Sequence, residues 1–222
     1  MAHKRLTRDE MKTVTRTRLL EAAARVFAQR GFHAASVEEV AREAGFSKGA
    51  VYSNFEGKEE LLLALLEAQS EARMAEVNDL FEHGDSVEMR LLEGGRGVTR
   101  LIERDREWFL LYIEFWAYAV RNPRLRKRFA EHTQTWRAGI ADLIARQTEA
   151  MDMELPVPAE DLVSMVLALG DGFVIQKLAD PGRFAEDSYG GMLLLLFGGL
   201  AALAARDEAG VVGPGQPFPS GG

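Results

Sequence analysis

Apolar residues recur every three to four positions along most of the 222-residue chain. That spacing predicts helices with one buried face, and no sustained alternating pattern predicts a strand. A first helix is expected over 13–30, with Leu19, Ala23, Val26 and Phe27 on one stripe and Gly31 as its left-handed stop. A second begins at Ser36, where Glu39 completes a capping box, and buries Val37, Val40, Ala41 and Ala44. Gly45 breaks it, and a third short helix runs from Ser47 to about Ser53. A long fourth helix starts at 57–60 and passes through Leu61, Leu62, Leu65 and Leu66 to about Phe81. Five more are expected over 87–103, 105–121, 123–150, 159–178 and 187–206. Pro123 suits a first helical turn, where its missing N–H costs nothing. Glu154 to Pro158 reads as a linker, and the Gly- and Pro-rich stretch from Asp207 reads as a disordered tail.

Two short helices joined by a tight glycine turn are the sequence form of a helix-turn-helix. Ala41 is small enough for the helices to cross closely, and Gly45 accepts a backbone conformation that a side chain resists. Val40, Ala50 and Val51 pin the second helix to the first, and Ser47 caps it. The outer face of that second helix then offers Ser47, Lys48, Gly49, Tyr52 and Ser53 to a major groove. Lys48 and Lys58 can pair with phosphates, and the free N–H groups of helix starts near Ser36, Ser47 and Lys58 can each take a phosphate oxygen.

Charge qualifies this picture. The whole chain carries −7, which argues against a nucleic-acid partner. Residues 1–35, however, hold eight basic groups against three acidic ones, so that segment carries +5 and the remainder −12. A basic end on an acidic body suits a protein that turns one face to phosphates. A solvated basic tail would give the same balance.

Residues 13–66 resemble the N-terminal domain of the TetR family of transcriptional regulators. The matching pieces run in order: Leu20 to Ala23, Val26-Phe27, Gly31-Phe32, Ser36-Val37, Val40-Ala41, Ala44-Gly45, Ser47-Lys48-Gly49, Val51-Tyr52, Phe55, Lys58 and Leu61-Leu62. The chain departs from the family pattern at Phe46, where a smaller aliphatic residue is commoner, and at Ser53-Asn54, where an aromatic or His is often seen. The operator sequence is therefore not carried over. The resemblance implies that Ser36, Ser47, Lys48, Gly49, Tyr52, Ser53 and Lys58 touch DNA, chiefly its backbone. It further implies an all-α homodimer that represses from a palindromic double-stranded DNA operator and is released by a small molecule. The expected organisation is a flexible basic arm over 1–12, a three-helix DNA-binding domain with its helix-turn-helix over 13–58, and a helical effector-binding and dimerisation bundle over 59–206. A disordered tail follows over 207–222.

In the second half, aromatic residues gather around the sixth helix. Trp108, Tyr112, Phe115, Trp116, Trp136 and Phe173 are candidates to line a largely apolar effector site, the alternative being ordinary core packing. Glu114, set between Tyr112 and Trp116, is a candidate partner for a ligand if it is drawn inward. Glycines interrupt helices that should be buried, at a cost of about 1 kcal/mol each relative to Ala. Close packing across a subunit interface would offset that cost at Gly190, Gly191, Gly198 and Gly199, and a kink beside the effector site would explain Gly94, Gly95 and Gly97. The faces through Leu162, Val166, Leu169 and Phe173 and through Leu193, Leu196, Phe197, Leu200 and Leu203 are the candidate dimer surface.

Other chemistry finds little support. Cys is absent, and the four histidines show no metal-ligand spacing. No nucleophile elbow or Walker loop occurs. No enzyme activity, cofactor or metal is expected. The polar start of the chain lacks a signal-peptide core, and the apolar run 192–205 is short for a membrane span, so a cytoplasmic protein without a membrane partner is expected. A helical adaptor or sensor that binds protein and not DNA is the competing expectation.

Overall fold

In the computed structural model, residues 7–150 and 157–208 are described. Among them there are nine helices and no strand: α1 Arg8–Ala34, α2 Val37–Ala44, α3 Lys48–Tyr52, α4 Lys58–Leu80, α5 Val87–Arg104, α6 Arg106–Ala119, α7 Pro123–Ala150, α8 Ala159–Ala179 and α9 Ser188–Glu208. The all-α class and the order of elements agree with the sequence pattern. The first helix starts earlier than expected. Thr7 caps it, its hydroxyl accepting the Glu10 N–H while the Glu10 carboxylate accepts the Thr7 N–H at 2.6 Å. The part of the expected arm from Arg8 to Lys12 is thus helical, and residues 1–6 lie outside the described part. The expected linker lies outside it over 151–156, and the expected tail lies outside it from 209 onward.

The chain divides into two compact units. The described parts of Met1–Ala75 and Arg104–Trp136 form the first. Its core joins Leu19, Ala23, Phe27 and Phe32 of α1 with Val40 of α2, Val51 of α3, Leu61 to Leu66 of α4, and Leu111, Phe115 and Phe129 further on. Gly31 interrupts α1 at φ 74°, ψ 168°, a region that essentially only glycine occupies, so Phe32–Ala34 form a separate helical turn.

The second unit comprises the described parts of Glu76–Glu103 and Arg137–Gly222. Here α5 is one unbroken helix, and its glycines serve packing in place of the expected kink. A Cβ on Gly95 would lie 2.3 Å from the Gly190 backbone of α9, and one on Gly94 or Gly97 would lie 2.4 Å from the side chain of Phe81 or Leu80. The α5–α9 crossing therefore needs both Gly95 and Gly190. Gly190 is thus used inside the chain. Near the end of α8, the Lys177 ammonium is buried, donates to the Pro181 and Phe184 carbonyls, and pairs with Glu103 at 2.8 Å. Leu162, Phe173 and Leu193 point into this unit, with Phe173 packed between Phe184 and Tyr189. By length and composition α8 is apolar enough to cross a membrane, yet much of its apolar surface is left uncovered by its own chain.

Candidate nucleic-acid interface

Ser36 opens α2. Its hydroxyl accepts the Glu39 N–H, and the Glu39 carboxylate accepts the Ser36 N–H and hydroxyl at 2.9 Å. This reciprocal cap holds the Glu39 pKa below the usual range, through hydrogen bonds from Ser36. At the other end Gly45 is left-handed, with φ 72°. The Phe46 N–H donates to the Ala41 carbonyl and the Gly45 N–H to the Arg42 carbonyl, which satisfies the end of the helix. The Phe46 ring then packs against the core, which explains a bulky residue after the turn.

Ser47 caps α3 by accepting the Ala50 N–H at 3.2 Å. Val51 is fully buried beneath α3, and Phe55 is buried just after it. Arg16 of α1 donates to the Asn54 carbonyl and lies 4.4 Å from the Phe55 ring, so the segment after α3 is tied to α1. With Val51 turned inward, Ser47, Lys48, Gly49, Tyr52 and Ser53 are all exposed, and Tyr52 keeps 49% of its surface in solvent. The Lys48 ammonium sits 5.6 Å from the Tyr52 ring and pairs with the Glu38 carboxylate of α2, which raises the Lys48 pKa and lowers that of Glu38. An exposed pair of this kind is worth at most about 1 kcal/mol, so Lys48 can exchange Glu38 for a phosphate cheaply. Lys58, at the start of α4, is only half exposed. Its ammonium donates to the Phe32, His33 and Ala35 carbonyls at 2.7, 3.1 and 3.0 Å.

The expected effector residues do not form one cluster. Phe115 is fully buried among Phe32 and Phe129, as part of the first unit's core. Tyr112 lies half-buried beside Phe129, and Trp108 lies under the Arg73 guanidinium at 4.4 Å. Trp116 is largely exposed, Trp136 is half-buried, and Phe173 belongs to the second unit. Glu114 is indeed drawn inward, but toward the chain itself. Its two oxygens accept the N–H groups of Phe32 and His33 at 2.8 and 2.9 Å. No metal-binding group of His, Asp or Glu occurs among the described residues.

Residues 19–65 match the sequence profile described as bacterial regulatory proteins, tetR family, and residues 89–193 match that of the C-terminal domain of BetI-type transcriptional repressors. The transcriptional repressor AcnR of Corynebacterium glutamicum is 31% identical over 162 residues, 73% of this chain and 81% of AcnR. The chain belongs to the TetR family. As a TetR-family protein it is a DNA-binding transcriptional regulator, and the exposed α3 face is where such a function has its geometry. A second relative, the transcriptional activator FasR of Mycolicibacterium smegmatis, is 32% identical over 65% of this chain and 63% of FasR. Among solved structures, FadR of Bacillus subtilis in complex with stearoyl-CoA superposes with a TM-score of 0.66 at 17% identity, covering 82% of this chain and 98% of FadR. This TetR-family fold is therefore shared well beyond recognisable sequence similarity.

Proposed function

We propose that this protein is a dimeric, cytoplasmic repressor that binds a palindromic operator and is released by a small, largely apolar effector. The observation that carries the reading is the helix-turn-helix of α2 and α3. Its inner side chains are consumed by the core, and Ser47, Lys48, Gly49, Tyr52 and Ser53 are left outside. Together with Ser36 at the start of α2, these residues form the DNA surface. The phosphates are held by Lys48 and the helix starts, and bases are met by the exposed face of α3. Repression is favoured by the AcnR likeness and the BetI-type match. The DNA-binding domain occupies 13–58 and the effector and dimerisation region 59–206.

Dimerisation is supported by the surface of α8 and α9. Leu195 and Leu203 stay exposed, as does Ile175, and a side chain added at Gly172, Gly191, Gly198 or Gly199 would meet nothing. An apolar, glycine-lined surface of this kind fits a second copy packed closely against it. Trp108, Tyr112, Phe115, Trp116, Trp136 and Phe173 supply the aromatic character that favours an apolar effector. The competing adaptor reading has no comparable support.

The test is a gel shift on duplexes from the region upstream of the protein's own gene. Lys48→Ala and Tyr52→Ala should each weaken binding at least tenfold with unchanged thermal melting. Equal binding by both variants would remove α3 as the reading element. Adding apolar small molecules, stearoyl-CoA among them, should quench tryptophan fluorescence and release DNA at the same concentration. Quenching without release would separate the aromatic site from control. Deleting the gene should raise transcripts of its targets, and a fall would make it an activator.

A further inference from the structure

The connection from α1 to α2 has an unusual arrangement of backbone partners. In an unbroken helix the N–H groups of Phe32 and His33 would bond to carbonyls one turn back. The positive φ of Gly31 breaks that ladder, and the two donors need another acceptor. Glu114, on α6, supplies it with one oxygen for each N–H, at 2.8 and 2.9 Å. Gly31 is also needed for space, since a Cβ there would approach the Glu114 carboxylate to 3.0 Å.

Lys58 completes the arrangement. An ammonium has three donors, and here all three are taken by the carbonyls of Phe32, His33 and Ala35. The same ammonium lies 4.6 Å from the Phe32 ring centroid. The four residues that lead into the Ser36 cap are thus held between an anion from α6 and a cation from α4. Neither charge is spare.

We propose that Glu114 and Lys58 are positioning residues for operator binding, a pair that fixes residues 32–35 and through them the placement of α2 and α3. Lys58 acts through the backbone it holds and makes no phosphate contact. The proposal rests on the reading of α3 as the DNA-reading helix.

Three single variants and one double variant of the full-length protein distinguish the possibilities. The probe is a duplex selected by the wild-type protein from a random-sequence pool, so that failure to select any duplex counts against DNA binding itself and not against this pair. Lys58→Gln should lower affinity about tenfold while the slope of log K against log salt stays at the wild-type value. A lost phosphate contact would instead flatten that slope by about 0.9 per protomer. Glu114→Gln should also lower affinity about tenfold, because one of two N–H groups loses its acceptor. Removing a negative charge near DNA would by electrostatics alone tighten binding. Glu114→Asp keeps the charge but withdraws the carboxylate, and should weaken binding as well. Combining Lys58→Gln with Glu114→Gln should cost less than the product of the single effects, since both act on the same four residues. A flattened slope in Lys58→Gln, or wild-type or tighter binding by both Glu114 variants, would overturn the proposal. If Glu114→Gln fails to fold, the Lys58→Gln slope and Glu114→Asp affinity decide it.

Discussion

Gly49 sits in the middle of α3, yet a Cβ there would meet only the Ser47 hydroxyl, at an ordinary 3.7 Å. Nothing in the free protein requires glycine at this position. Helical propensity favours alanine there by up to about 1 kcal/mol. The requirement has to come from what approaches the exposed side, and DNA backbone is the partner that comes closest. Gly49→Ala should leave the melting temperature equal or slightly higher while operator affinity by fluorescence anisotropy falls at least tenfold. Wild-type affinity would mean that no partner comes near this spot. Gly31 is the contrasting case: it is needed by the fold itself, through its φ and the adjacent Glu114 carboxylate. Sequence distinguishes these uses only partly. Ser36 with Glu39, and Gly45 as a stop, are legible because the partners lie within one turn. Glu114 is not, because its acceptor role spans more than eighty residues. The available signal was the glycine break, which leaves two N–H groups in need of an acceptor without saying which.

At the scale of elements, boundaries followed the apolar period closely, as in α5, expected over 87–103 and observed as Val87–Arg104. Which helices touch was less legible. The glycines of α5 suggested a kink, whereas Gly95 lets α9 pass at Gly190. Periodicity describes one helix at a time and carries no information on crossing partners. The same limit applies to the candidate dimer surface. Leu162, Phe173 and Leu193 turn inward, while Leu203 and the unanticipated Leu195 and Ile175 remain outside. Leu195, 78% exposed, contributes little to its own chain's core. Leu195→Glu should therefore leave helicity and melting largely intact but yield monomers by light scattering. Operator affinity should drop by about 10² or more, because two linked recognition helices lose their mutual advantage. A variant that stays dimeric would place the interface elsewhere.

The molecule as a whole is an acidic body with a basic beginning, and DNA must be won against the repulsion of the body. Between Arg8 and Lys12 the basic segment is the exposed start of α1, held by the Thr7–Glu10 cap, so part of the positive charge is fixed in direction. A fixed charge near phosphates releases counterions without reading bases. A solvated tail does neither. Changing Lys4, Arg5, Arg8 and Lys12 together to Gln separates the two cases. If this segment meets the DNA backbone, the salt slope should flatten by about 0.9 for each lost phosphate contact. Preference among operator variants should stay the same, because the residues of α3 still face the bases. Weaker binding with altered sequence preference would assign base contacts to the arm, and an unchanged slope would make it a solubilising tail. The effect should be largest at low salt and fade as the Debye length shrinks toward the spacing of neighbouring phosphates. The measurement is the slope itself, taken over a salt series, since a single affinity at one ionic strength would mix the arm's attraction with the body's repulsion.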